Sequence, residues 1–234
     1  MGKNFKALIT SQKEDGTFEN IVKEKSVDHL PHGELLVRVE YSSLNYKDAL
    51  SAIGNKGVTR EYPHTPGIDA AGIVENSSSP NFSAGTPVIV SGYDLGMNTA
   101  GGFGEYIRVP VSWAVKRPNN LTAKESMIIG TAGLTAGLCV KALDGKSGIS
   151  GMNAVVSGAT GGVGCMAVKL LAHLGAEVTA LTGKSDASSF LRNIGAHKII
   201  SRTEFLESVR GPIGKGIWDI AVDVAGGDLL SAIL

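Results

Sequence analysis

The chain organises itself around Ser157-Gly158-Ala159-Thr160-Gly161-Gly162-Val163-Gly164. Residues 153–157 form a short β run that leads into it. Behind it, Met166, Ala167, Leu170, Leu171 and Leu174 are spaced by three and one, which lines up one face of an amphipathic helix. Gly175 then ends that helix as a C-cap does. Residues 177–181 read as the next strand and 188–194 as a helix stopped by Gly195. Residues 197–200 are a third strand and 218–224 a fourth, whose Ile220-Ala221-Val222 centre has the composition of a strand buried on both faces. Strand, glycine turn, helix and strand at this spacing predict a βαβ unit in a doubly wound parallel sheet.

The chemistry of the turn follows from its glycines. Gly158 permits the tight bend, Gly161 lacks a Cβ that would keep a pyrophosphate away from the backbone, and Gly164 lets the helix pack closely on the strand. The N–H groups at the helix start face outward with no partner in the helix, so they suit an anion. A bare glycine-rich turn without a ligand is the competing reading, and the flanking strands weigh against it. An NAD site ends its second strand, about 20 residues on, with an acidic residue for the ribose 2′-hydroxyl. Here the strand end is Thr182-Gly183-Lys184-Ser185. No carboxylate stands there, and Lys184 offers a cation to a 2′-phosphate, which predicts NADPH. Asp186 works against that cation, and a solvated loop lysine is the alternative.

Outward from this core, the first 120 or so residues have a different rhythm. Val37, Val39 and Tyr41 alternate with Arg38 and Glu40, and short runs at 68–74, 87–90 and 106–109 are bounded by Gly, Pro, Asn and Ser clusters. This predicts a small, turn-rich β domain over 1–120 followed by the dinucleotide domain over 121–234. Thr122 and Glu125 form a capping box at the start of a linking helix that runs to about Leu143. The apolar run 126–140 is too short to span a bilayer and reads as a buried helix. Acidic and basic residues number 22 each, so the chain lacks the basic excess of a phosphate-backbone binder. Hydrophobic residues at 43% supply ample core. Cys139 and Cys165 make no disulfide framework and no CxxC pair, which fits a reducing cytoplasm, and residues 1–10 lack the apolar region of a signal peptide.

Four further stretches carry a resemblance: Ser42-Ser43-Leu44-Asn45-Tyr46-Lys47-Asp48, Pro66-Gly67-Ile68-Asp69-Ala70-Ala71-Gly72, Ile129-Gly130-Thr131-Ala132-Gly133-Leu134-Thr135-Ala136, and Leu191-Arg192-Asn193-Ile194-Gly195-Ala196. With the glycine turn, and in this order, they resemble the YhdH/YhfP-like quinone oxidoreductases and acrylyl-CoA reductases of the medium-chain dehydrogenase/reductase superfamily. The resemblance implies a GroES-like β domain followed by a Rossmann domain with the active site in the cleft between them. It implies NADPH contacts at Tyr46, at Thr160, Gly161, Gly162 and Val163, and at Thr182, Gly183 and Lys184. It adds Arg202 as a second anchor for the 2′-phosphate and Val224 as a backbone neighbour of the cofactor. It also admits a homodimer.

Zinc members of the superfamily use a Cys/His set and a Gly-His-Glu motif. This chain has two distant cysteines and reads Gly67-Ile68-Asp69, with His64 a single nearby imidazole, so a zinc-free enzyme is expected. Without a metal to polarise a carbonyl, the implied substrate is a small conjugated acceptor: an acrylyl-CoA-like thioester, an enone or a quinone. No side chain is assigned as nucleophile or proton donor. The sequence stops at Leu234, in a helix just begun after the fourth strand, so a six-stranded sheet in the order 3-2-1-4-5-6 is expected to be cut short. A catalytically inactive dinucleotide-binding or interaction protein is the rival expectation.

Overall fold

The structure, a computed structural model, describes residues 2–145, 148–209 and 216–234. They divide into two units, Met1–Thr131 and Ala132–Leu234. The first unit opens with a hairpin, β1 (Asn4–Gln12) and β2 (Phe18–Ser26), turned through Gly16 at φ +82°. After it come β3 (Leu35–Tyr41), the short helix α1 (Tyr46–Ala52), β4 (Asp69–Ser77), β5 (Pro87–Ser91), β6 (Tyr106–Val109) and β7 (Ala114–Lys116). The last five strands pair antiparallel in the order β6-β3-β4-β5-β7. Their period of two places Leu35, Val37, Val88, Val90, Ile107 and Val109 in one core, while Arg38 and Glu40 face solvent.

Helix α2 (Ala123–Leu143) crosses from one unit to the other, and its first turns pack Ala123 and Met127 against Ala71. The predicted capping box forms. Glu125 accepts the Thr122 N–H at 2.9 Å, and Thr122 Oγ1 accepts the Glu125 N–H at 3.1 Å. Removing it with Thr122→Ala should lower the thermal midpoint by about 2–4 °C, read by circular dichroism; a midpoint unmoved within error would show that the cap contributes nothing. By length and composition α2 passes as a membrane-crossing helix, with 21 residues and a mean hydropathy of 1.5. It is interrupted, however, at Gly130, whose φ of 49° and ψ of −162° lie outside helical space. Its buried positions are Ala123, Ser126, Met127, Gly130, Ala136 and Val140. Ile128, Leu134 and Leu138 are exposed, so the helix expected to be buried is buried only in part.

The second unit continues with β8 (Asn153–Val156), α3 (Gly162–His173), β9 (Glu177–Thr182), α4 (Ser188–Asn193), β10 (Lys198–Ser201), α5 (Arg202–Ser208), β11 (Ile220–Val222) and α6 (Gly227–Ile233). The strands are parallel in the order β10-β9-β8-β11. That is the 3-2-1-4 half of the doubly wound order. Alternate residues of β8 feed two cores. Ala154 and Val156 join Val168, Leu171, Val178 and Leu191, while Val155 joins Leu181, Phe205 and Leu229. The sheet is therefore covered on both faces, as a parallel sheet requires. β11 departs from expectation: it is three residues long and only Val222 is buried. Among the described residues it pairs with β8 alone and forms the edge, as a sheet cut short after its fourth strand is expected to end.

Candidate dinucleotide site

The glycine turn joins β8 to α3 by a tightly folded backbone. Gly158 sits at φ +56°, and the Gly161 N–H returns to the Gly158 carbonyl at 2.9 Å. Gly161 is the N-cap of α3 and supplies no side chain to cap it. The amides of Gly162, Val163 and Gly164 open the helix, where they have no carbonyl one turn back to bond. Two of the glycines have distinct duties. A Cβ on Gly164 would lie 2.2 Å from the Gly158 carbonyl oxygen, whereas one on Gly161 would meet only that same oxygen, at 3.3 Å. Gly164 thus serves the contact of helix with turn, not helix with strand as expected. Gly161 leaves the helix mouth open.

A cleft of about 200 Å³ adjoins the turn, lined by Gly158, Thr160, Leu181, Thr182, Gly183, Arg202, Ala225 and Leu229. The hydroxyls of Thr160 and Thr182 stand 3.4 Å apart across it. Arg202 is on its wall because it is the first residue of α5, a helix the sequence pattern did not reveal. Ser201 caps that helix by accepting the Glu204 N–H at 3.1 Å. Lys184 is exposed and is not among the lining residues. Its N–H goes to Thr182 Oγ1 at 3.1 Å, which fixes the backbone of the loop rather than the ammonium. Val224 is partly exposed just beyond β11. The structure therefore gathers Thr160, Thr182, Gly183 and Arg202 at one cleft, with Gly161, Gly162 and Val163 on the adjoining turn.

Tyr46 belongs to the first unit, where it opens α1 and is 81% exposed. Its position is set by two buried carboxylates. Asp48 accepts the N–H groups of Asn45 and Ile68, both at 2.8 Å, and burial pushes its carboxyl above the ordinary range. Asp69, on β4, accepts from Ser43, from Asn45 Nδ2 at 3.0 Å, and from Thr131 through its N–H at 3.0 Å and its hydroxyl at 2.7 Å. Burial opposes the charge on Asp69, yet the hydrogen bonds from Ser43, Ser91 and Thr131 hold its carboxyl below the usual carboxylate range. The break in α2 at Gly130 turns the Thr131 amide toward this carboxylate.

Residues 31–119 match the family described as alcohol dehydrogenase GroES-like domain, and 162–234 match zinc-binding dehydrogenase. The chain is similar to the acrylyl-CoA reductase AcuI of Ruegeria pomeroyi, 42% identical over 232 residues that make up 98% of this chain and 70% of that one. Among solved structures, the YhdH oxidoreductase from Salmonella enterica in complex with NADP has a TM-score of 0.91 at 42% identity, covering 97% of this chain and 70% of that one. The Bacillus subtilis protein YhfP with NAD bound has a TM-score of 0.91 at 39% identity, covering 99% and 70%. The chain belongs to the YhdH/YhfP-like branch of the medium-chain dehydrogenase/reductases.

In this YhdH/YhfP-like oxidoreductase the sequence pointed to the glycine turn and the end of β9 but left several residues unmarked. Ser157 was read as the end of a strand; it is fully buried and hydrogen-bonded to the segment after β11. Asp223 received no role, because a single carboxylate beyond a short strand carries no pattern. Asp69 was read as a departure from a zinc motif, yet it is the acceptor that ties α1, β4 and α2 together within the first unit. Asp48 did carry a signal: it follows Asn45 by three residues, the spacing of a cap at a helix start.

Proposed function

We propose that the chain is an NADPH-dependent, zinc-independent oxidoreductase acting on a small conjugated acceptor: an acrylyl-CoA-like enoyl thioester, an enone or a quinone. The observation that carries this reading is the mouth of α3. Its first-turn amides, uncapped by any side chain, adjoin a cleft whose wall bears Arg202. The turn fits a pyrophosphate, since Gly161 offers no side chain where the anion would approach. Thr160 and Thr182 supply hydroxyls for ribose, and Arg202 is a permanently charged cation for a 2′-phosphate, with Lys184 nearby in sequence at the end of β9. When bound, the nicotinamide supplies a hydride. Tyr46, held at the start of α1 through Asn45 and Asp48, is the proposed aromatic contact. Both NADP and NAD occur in structures of relatives, and the arginine on the cleft wall is what supports NADPH here.

Zinc independence is supported by the residues that stand in the first unit. The Asp69 carboxylate is already engaged by hydrogen bonds from Ser43, Asn45 and Thr131, and its neighbour is Ile68 rather than a ligand. Among the described residues no three His, Cys, Asp or Glu side chains converge. Cys139 and Cys165 are free thiols, in keeping with a reducing cytoplasm.

The test is oxidation of NADPH by the purified chain with acrylyl-CoA or a small quinone, followed through the absorbance of the reduced cofactor. Steady turnover, unaffected by prior treatment with a zinc chelator, is expected. Tight NADPH binding with no turnover on any acceptor of these three classes would replace the enzyme by an inactive dinucleotide-binding protein. Loss of turnover to the chelator would overturn the zinc-free reading.

A further inference from the structure

The hydroxyl of Ser157 uses all the hydrogen-bonding capacity it has, one donor and two acceptor sites. It donates to Asp223 Oδ1 and accepts the N–H of Val224 at 2.9 Å and of Ala225 at 3.2 Å. Asp223 Oδ2 accepts the N–H of Gly226 at 2.9 Å, and the Ser157 N–H itself goes to the Val222 carbonyl at 3.0 Å. Buried Ser157, at the start of the glycine turn, thereby holds the backbone at 222, 224 and 225, and its partner Asp223 holds it at 226. That segment has little else to fix it. It follows a three-residue edge strand and leads into two consecutive glycines at positive φ, Gly226 and Gly227.

The sheet order says what the segment faces. An adenosine ribose belongs at the end of the second strand, here β9, and the pyrophosphate at the glycine turn after β8. β11 lies on the side of β8 opposite to β9. A dinucleotide that crosses the turn must therefore lay its second half over the end of β11, against 223–226. At this place the walls are close: a Cβ on Gly158 would stand 3.5 Å from Val224 Cβ.

We propose that Ser157 and Asp223 are positioning residues that fix the 223–226 backbone as the wall for the nicotinamide half of the cofactor. This rests on the dinucleotide reading above. Neither side chain touches the ligand; Ser157 acts through the amides of Val224 and Ala225, and Asp223 through that of Gly226 and through the Ser157 hydroxyl it orients. Their loss frees the wall and leaves the adenosine side, at β9 and α5, as it was.

The experiment is a titration of the full chain with NADPH and, separately, with 2′,5′-ADP, which carries the adenosine half and its 2′-phosphate but no nicotinamide. Ser157→Ala is expected to weaken NADPH roughly tenfold while 2′,5′-ADP changes by less than about twofold. Asp223→Ala, which keeps the buried Ser157 hydroxyl in place, is expected to do the same and decides the matter if Ser157→Ala does not fold. Unchanged NADPH affinity in the folded variants would overturn the assignment, as would equal losses for the two ligands, since a merely structural role spares neither half. If the unmutated chain binds neither ligand, it is the dinucleotide reading itself that falls.

Discussion

Gly161→Val is expected to give a folded chain that no longer binds NADPH, whereas Gly164→Val is expected to unfold the second unit. At position 161 the backbone is extended, with φ −80° and ψ 170°, which valine adopts freely. The nearest protein atom to its Cβ is the Gly158 carbonyl oxygen at 3.3 Å, so a shift of a few tenths of an ångström relieves the contact. Valine as an N-cap in place of glycine costs about 1 kcal/mol. Its methyl groups, however, stand at the helix mouth where a pyrophosphate must approach the amides, and NADPH affinity should drop by at least about a hundredfold. At 164 the same side chain would place Cβ 2.2 Å from the Gly158 oxygen, 2.8 Å from its carbonyl carbon and 2.9 Å from the Ala159 Cα. These are all backbone atoms of a turn wedged between β9 and β11, with the Ala159 N–H on the Leu181 carbonyl and the Ser157 N–H on that of Val222. Such a clash costs several kcal/mol out of a stability of about 5–15 kcal/mol. Thermal unfolding and calorimetric titration of the two variants separate the effects. A Gly161→Val chain that binds NADPH normally would remove the pyrophosphate from the turn, and a stable Gly164→Val chain would show that the helix and turn do not need their close contact.

The parts of the fold that were legible are those where burial imposes a period. β8 and β9 show apolar runs flanked by glycine, β10 the Ile199-Ile200 pair, and α3 an apolar stripe, because each is buried against something on at least one face. The hairpin β1–β2 was missed for the opposite reason. Every residue of β2 is exposed or half-buried, so Phe18 to Ser26 carries no alternation to read. α1 and α5 are seven residues each, too short for an apolar stripe, and both were missed; their caps at Asn45 and Ser201 are evident only in the structure. The site follows the same rule. The glycine turn announces itself because its fold and its open mouth both need missing Cβ atoms, while Ser157 and Asp223 act through main-chain amides that any sequence possesses. Arg202 came from the family resemblance, and its position became intelligible only when α5 placed it on the cleft wall.

The position of that arginine changes the expected division of labour for the 2′-phosphate. The sequence placed the main cation at Lys184. In the structure Arg202 lines the cleft and Lys184 does not. A charge-assisted hydrogen bond from a planar guanidinium to a phosphate is worth about 1.5–3 kcal/mol, which converts to about ten- to a hundredfold in affinity. Arg202→Ala should therefore weaken NADPH by about that factor and leave NADH within about twofold. A solvated lysine contributes less, so Lys184→Ala should cost only about two- to fourfold for NADPH. Both cations are exposed, and the preference for NADPH over NADH should shrink as salt is raised toward 1 M, where screening acts over about 3 Å. Titrating each variant with NADPH, NADH and 2′,5′-ADP separates charge recognition from damage to the cleft: the two ligands that carry the phosphate must weaken together while NADH holds. If Lys184→Ala cost more than Arg202→Ala, the loop after β9 would be the phosphate anchor and the start of α5 its bystander. If NADH weakened as much as NADPH in Arg202→Ala, the arginine would be shaping the wall rather than reading the phosphate.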